Sequence, residues 1–204
     1  MEYAPTPLHD IEFEPLTLEE ARMHLRLDAV GSPPTHPDDD LVLALNVAAR
    51  EHAEYYTSQA FARQSYELAL DEFPVGAIDL GVWPVLSIDS VTYVDQAGAT
   101  QTLDAANYAL NNSRKPASLA LAFGTAWPAT RVQDAAIKIT FTAGRTDDLS
   151  PNPQPTPKSA KQAMLLMLGH LYENREALGK KDDNVELPLG VMALLQQHRI
   201  AMGL

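Results

Sequence analysis

Cysteine is absent from the chain, which excludes disulfide scaffolds, thiolate metal sites and thiol nucleophiles together, and fits an intracellular protein. Basic residues are scarce: 15 Lys and Arg face 27 Asp and Glu across 204 residues, a net charge of −12. A surface built to neutralise phosphates is therefore not expected. Long apolar runs are missing too, the longest being Ala163 to Gly169, far short of a membrane span. The acidic, proline-interrupted start lacks the basic and apolar regions of a signal peptide, so a soluble protein is expected.

Catalytic motifs are equally sparse. Gly76 and Gly81 lack the spacing and the following Lys-Ser/Thr of a phosphate loop. The six histidines, His9, His24, His36, His52, His170 and His198, never stand three or four apart, so no helical face carries a histidine pair for one metal. His52, His170 and His198 lie on largely apolar helical faces and suit core or interface positions better than ligation. There is no G-x-S-x-G elbow and no H-E-x-x-H. Carboxylate pairs such as Glu51 with Glu54 or Asp182 with Asp183 are ordinary in so acidic a chain and suit solvated faces. No catalytic, cofactor or metal residue is assigned.

What is present is a clear change of period. Thr17-Leu18-Glu19-Glu20 forms a capping box opening a short helix that ends near Asp28. After a proline-rich interruption, Asp38, Asp39 and Asp40 stand at the start of a second helix, Leu41 to about Ser58, where carboxylates suit the positive end of the dipole. A cation site is the sharper alternative for this triplet, but adjacent helical residues do not face one another. In the second helix Leu41, Ala44, Leu45, Ala48, His52 and Tyr56 form one apolar stripe, with Val42, Leu43 and Val47 outside it. The N-terminal half of this helix is apolar nearly all round, which suggests burial against a neighbouring subunit as well as its own core.

From Phe61 to Gly144 the pattern alternates with period two. Tyr66, Leu68 and Leu70; Leu119, Leu121 and Phe123; and Ile137, Ile139 and Phe141 each mark a strand. Val85 to Val94 and Thr100 to Leu103 flank a hairpin loop, Asp95 to Gly98, and a parity slip predicts a bulge near Asp89-Ser90. Trp83-Pro84 and Trp127-Pro128 suit buried corners of this module better than a stacking platform for sugars or bases. Alternate prolines from Pro151 to Pro157 make a stiff connector. Thr156-Pro157 then opens a third helix running to about Leu178, with Leu165 and Leu166 off its main stripe and Gly179 as its stop. Pro188 opens a last helix with Val191, Leu194, Leu195 and His198 on one face.

The expected fold is α+β: a helical bundle core made of residues 1–60 and 146–204, with an inserted antiparallel β module at 61–145. Charge follows the same division. Residues 1–60 hold 12 acids and 3 bases (net −9), residues 61–145 hold 8 and 6 (−2), and the rest hold 7 and 6 (−1).

Several segments together resemble the head-tail connector, or adaptor, proteins of long-tailed bacteriophages, prophages and gene transfer agents. They are Leu16-Thr17-Leu18-Glu19-Glu20-Ala21 with His24-Leu25-Arg26; Asp39-Asp40-Leu41 leading to Ala48-Ala49-Arg50; and Trp83-Pro84-Val85 with Val91-Thr92-Tyr93. The series continues through Trp127-Pro128, Ile137 to Gly144, Tyr172-Glu173-Asn174-Arg175-Glu176 and Leu187-Pro188. The resemblance spans nearly the whole chain. It implies a structural virion protein without catalysis or cofactor, assembled in the bacterial host cytoplasm and located in the virion neck. As a homo-oligomeric ring, dodecameric like the portal above it, it would contact the portal protein and a stopper or tail-completion protein, while DNA passes through without specific binding and no membrane is involved. Shorter family members lack much of the β module, whose role the resemblance leaves open. A stopper or tail-completion protein of the same neck is the alternative, and an uncharacterised hydrolase a remote one.

Three surfaces follow as expectations. Leu43, Val47 and Leu166, off the stripes of their helices, are expected at a subunit interface. Val191, Leu194, Leu195 and His198, after the polar loop Lys180 to Glu186, are expected to meet the portal or, alternatively, to pack back on their own bundle. Asp38, Asp39 and Asp40 are expected either on an acidic lumen that repels DNA or on an outward face that keeps the free subunit soluble.

Overall fold

A computed structural model describes residues 4–8, 11, 14–146, 154–174 and 189–200. Its elements, in chain order, begin with β1 (Thr6–Pro7), α1 (Leu18–Leu25), α2 (Asp39–Thr57), β2 (Gln64–Leu70), β3 (Ile78–Asp79), β4 (Val85–Val94) and β5 (Thr100–Thr102). A single 3-10 turn (Ala105–Asn107) precedes β6 (Tyr108–Asn111), which is followed by β7 (Ser118–Leu121), β8 (Ile137–Ala143), α3 (Lys158–Glu173) and α4 (Leu189–Gln196). The fold is α+β, and the chain divides into two units: a helical one, 14–61 with 146–199, and a β one that includes 62–145 and the N-terminal strand.

In the helical unit the capping box is formed as expected. The Glu20 N–H donates to Thr17 Oγ1 at 3.1 Å and the Thr17 N–H donates to Glu20 Oε2 at 2.9 Å. α1 stops at Leu25, three residues short of expectation, because Arg26 turns left-handed (φ 57°) and the Leu27 N–H reaches back to the Arg22 carbonyl at 3.0 Å. The core is built from Leu16, Ala21, Val42, Ala49, Ala53, Phe61, Ala160, Ala163, Met164, Leu168, Val191 and Leu195.

This core corrects the expected stripe of α2. The buried face carries Val42, Asn46, Ala49, Arg50, Ala53 and Thr57, one position round from the apolar series Leu41, Ala44, Leu45, Ala48. Each of its polar members makes at least one hydrogen bond or ion pair, although Asn46 Oδ1 is buried without a hydrogen bond. Asn46 Nδ2 donates to the Leu16 carbonyl at 2.8 Å, Thr57 Oγ1 donates to Ala53 O at 2.7 Å, and Arg50, only 3% exposed, pairs with Glu14 and Glu54. α3 begins at Lys158, one residue later than predicted, and Asn174 closes it, Nδ2 donating to the His170 carbonyl. The expected continuation to Leu178 and the polar loop Lys180 to Glu186 lie outside the described residues, as do Pro151, Pro153 and Pro188.

In the β unit two antiparallel sheets form, with strand orders β1-β2-β8-β4-β5 and β3-β7-β6. β2 and β8 keep strict alternation, burying Tyr66, Leu68 and Leu70 against Ile137, Ile139 and Phe141. The bulge at Asp89 is present, between the Ile88–Phe141 and Ser90–Thr140 pairs, and a second lies at Leu86. β7 ends at Leu121 rather than continuing to Phe123, which turns into solvent just before Gly124 (φ 79°). Between the two sheets the Asn112 amide takes the place of a strand neighbour, its Nδ2 donating to Val85 O at 2.6 Å and its Oδ1 accepting from Val85 N.

Candidate functional site

An α-helix advances about 100° per residue, so residues three and four apart share a face. On α2 the face opposite Val42, Ala49 and Ala53 presents Leu43, Ala44, Val47, Ala48, Glu51 and Tyr55, all exposed. Leu43 is 46% exposed and Tyr55 88%. Five of these six side chains are apolar or aromatic, the composition of an inward-facing surface on an outward-facing one. The third residue expected at an interface, Leu166, is half-buried and sits against α4, where a Cβ on Gly190 would lie 3.9 Å from its Cδ1. Leu43 and Val47 thus share an exposed face of α2, while Leu166 is half-buried.

A charged frame holds this helix in place. Arg22 of α1 donates from Nε to Asp39 Oδ1 at 2.7 Å and from Nη2 to Asp39 Oδ2, a bidentate pair that ties α1 to the start of α2. The Arg22 hydrogen bonds, aided by the His36 N–H at 2.8 Å, hold the Asp39 carboxyl below its ordinary range. Tyr172 of α3 donates its hydroxyl to Asp38. Of the acidic triplet only Asp40 is exposed; Asp38 and Asp39 are half-buried and engaged inside the helical unit. At mid-helix, burial pushes the Glu14 carboxyl up, against the pull of the adjacent Arg50 guanidinium.

The residues expected to meet a portal are also engaged internally. Val191 and Leu195 are fully buried in the helical core and Leu194 packs against it. His198 Nε2 lies 2.7 Å from Ser159 Oγ. In this conformation Val191 and Leu195 offer nothing to a second protein.

The β unit has its own features at the two tryptophans that the sequence singled out, and neither is the buried corner expected of it. Trp127 is half-buried, not a buried corner, and stacks on Phe73 at 4.6 Å between centroids, with Tyr93 edge-on to Phe73. Trp83, also half-buried, is flanked by two cations, Lys115 Nζ at 4.0 Å and the Arg145 guanidinium at 4.7 Å. Burial lowers the Arg145 pKa from its ordinary value. Among the described residues no group of three His, Asp or Glu is placed to hold a metal, and no helix is long and apolar enough to cross a membrane.

No family model matches the chain, and no curated protein matches it. Solved structures do. The chain is similar over 98% of its length, and 97% of the other's, to a chain in the neck of an empty gene transfer agent particle computed with C6 symmetry, at 25% identity and TM-score 0.76. A chain of the virion of a native gene transfer agent particle matches with the same coverage and identity at TM-score 0.75. The same fold, at 24% identity and TM-score 0.73, occurs in the neck of a native particle computed with C12 symmetry, where the match covers 100% of this chain and 98% of that one.

Proposed function

We propose that this chain is the structural adaptor of a particle neck, a ring-forming subunit between the capsid portal and the tail or stopper. The observation that carries this reading is the structural match over 98% of this chain, and 97% of the other, to chains of a gene transfer agent neck and virion. A shared domain within a larger enzyme would leave part of one chain unmatched. The symmetry of those necks supports a ring of copies, and the apolar outward face of α2 supplies the kind of surface such a ring needs to bury. A structural role takes the place of catalysis in this reading. The net charge of −12 suits a ring through which DNA slides without being held.

Cryo-electron microscopy of purified particles from the producing strain tests it. The expected result is density fitting this chain, repeated as a ring directly below the portal. Deletion of its gene should leave DNA-filled heads without tails. Density at the level of the stopper, or absence from the neck, would overturn the adaptor assignment.

A further inference from the structure

We propose that the loop end of the β unit is a docking tip for a different virion protein, one whose surface presents an apolar socket rimmed by lysine or arginine. The inference rests on the neck reading above and gives the β unit a partner of its own.

Strand alignment places the tip. β2, β4 and β8 pair so that Leu70, Tyr93 and Ile137 share one end of their sheet, and the loops that leave it, 71–77, 95–99 and 122–136, are tied to one another. Phe73 stacks on Trp127 with the ring planes 2° apart, Trp127 Nε1 donates to the Gly76 carbonyl, and the Ala135 N–H donates to Asp71 at 2.8 Å. An isolated bridge joins Asp95 to Thr130, and the Arg131 N–H donates to the Val94 carbonyl at 3.0 Å. In the second sheet Ile78 stands opposite Leu119 on an antiparallel strand, so the chain entering β3 and the chain leaving β7 lie at the same end, carrying Val75 and Phe123. Val75, Phe123 and Val132 have essentially their whole side chains in solvent. Three fully exposed large apolar side chains on loops tied together at one end of a module mark a docking surface, not scattered exposure.

Charge selects the occupant. Glu72, Asp95 and Asp134 stand on the same loops against Arg131, a net of 1 − 3 = −2. Among the described residues none of these three carboxylates is in a salt bridge. Asp95 is satisfied by neutral donors, Gln101 Nε2 and the Ala99 and Ala97 N–H groups, which hold its carboxyl below its ordinary range and keep it ionised. Such a tip repels phosphates, whether of nucleic acid or of lipid, and attracts a protein surface with free cations.

A second copy of this chain does not offer that surface. Every lysine and arginine described outside the tip, save Arg26 and Lys158, lies in a salt bridge, over an aromatic ring or against another partner in the chain. α1 and α3 run parallel, since Lys161 meets Glu20 near their starts and Gly169 meets His24 near their ends. Arg26, just past the end of α1, and Lys158, at the start of α3, therefore stand at opposite ends of the pair and cannot rim one socket. The occupant is accordingly a different protein of the particle.

Photocrosslinking from the tip tests this. Particles are produced with p-benzoylphenylalanine in place of Phe123 or, separately, of Val132, purified and irradiated, and the adducts of this chain are mapped by mass spectrometry. The expected result is the same second virion protein from both positions, joined at a segment where lysine or arginine flanks apolar residues. In parallel, Glu72→Lys with Asp134→Lys, both at exposed positions, should cut incorporation into particles by about tenfold, and changing the basic residues of the crosslinked segment to Glu should restore it. Adducts only to a second copy of this chain, adducts to a segment without basic residues, no adduct in particles whose neck contains the chain, or failure of the partner's charge change to rescue would each overturn the docking tip while leaving the adaptor reading intact. Absence of the chain from the neck would remove both.

Discussion

At the scale of single residues, the positions that matter most are those where ordinary side-chain preferences are set aside. Gly144 has φ +122°, and a Cβ there would stand 2.0 Å from the Ala62 carbonyl oxygen and 2.7 Å from Arg63 Cα, both backbone atoms that cannot swing away. Its N–H donates to the Pro84 carbonyl at 2.9 Å, so the close approach fixes the end of β8. Gly144→Ala adds left-handed strain to a backbone clash and is expected to cost about 3 kcal/mol or more, seen as a lower urea midpoint for the β-unit signal. Arg50 is the polar counterpart: a buried guanidinium whose partners Glu14 and Glu54 come from the segment before α1 and the next turn of α2. Sequence pattern alone assigns neither role. Gly144 follows an alternating strand like many turn glycines, and an arginine in a helix normally reads as surface.

Among the elements, what could be read in advance depended on how regular the period was. β2 and β8 were legible because one face is apolar and the other polar along their whole length, and the β4–β5 hairpin because the turn residues Asp95 to Gly98 separate two extended runs. β1, β3 and β6 were not, since two to four residues with a Pro, an Asp or an Asn cannot display a period. α2 was legible as a helix but not in its orientation. Apolar residues occupy most of its circumference, and the decisive core contacts are polar ones, Asn46, Arg50 and Thr57, satisfied by groups distant in sequence or by the helix itself.

The tie between α1 and α2 has a pH signature. The Asp39 carboxyl is held below its ordinary value by Arg22, so the folded state binds its proton less tightly than the unfolded chain does. Its contribution is present above the unfolded pKa of about 4 and is lost as pH falls through the lower folded value. Glu14, raised by burial, acts in the opposite sense: its contribution is lost as pH climbs through its folded value. Asp39→Asn is expected to lower the melting temperature of the helical unit at neutral pH and to flatten its decline on acidification, measured by circular dichroism across the acid range.

α4 supplies a second test at this scale. Leu195 is buried and Leu189 is 87% exposed on the same short helix. Leu195→Ala is expected to cost about 2–5 kcal/mol, whereas Leu189→Ser should stay within about 0.5 kcal/mol of the parent, both by urea unfolding. A near-neutral Leu195→Ala would mean that the helix does not hold to its bundle in solution and is free to serve elsewhere.

For the whole molecule, the outward face of α2 and the ring symmetry of the neck structures make a prediction that separates two kinds of assembly. In a cyclic ring each subunit uses two different surfaces, so a subunit with one defective surface still joins an arc through the other and blocks its closure. In a two-fold contact the defective subunit is simply left out. Leu43→Asp with Val47→Asp places carboxylates on side chains that are at least one-third exposed, so the fold should be retained, as judged by an unchanged circular dichroism spectrum. Alone, this variant should give no rings in particles. Mixed with the parent chain it should poison closure far beyond its own share. For a ring of 12 copies, as in the C12 neck, one-tenth variant leaves roughly 0.9 to the twelfth power, about three rings in ten, free of any variant subunit. Counting tailed particles against the variant fraction in co-expression measures this directly, and a loss merely proportional to the variant fraction would show that the α2 face takes no part in closing the ring.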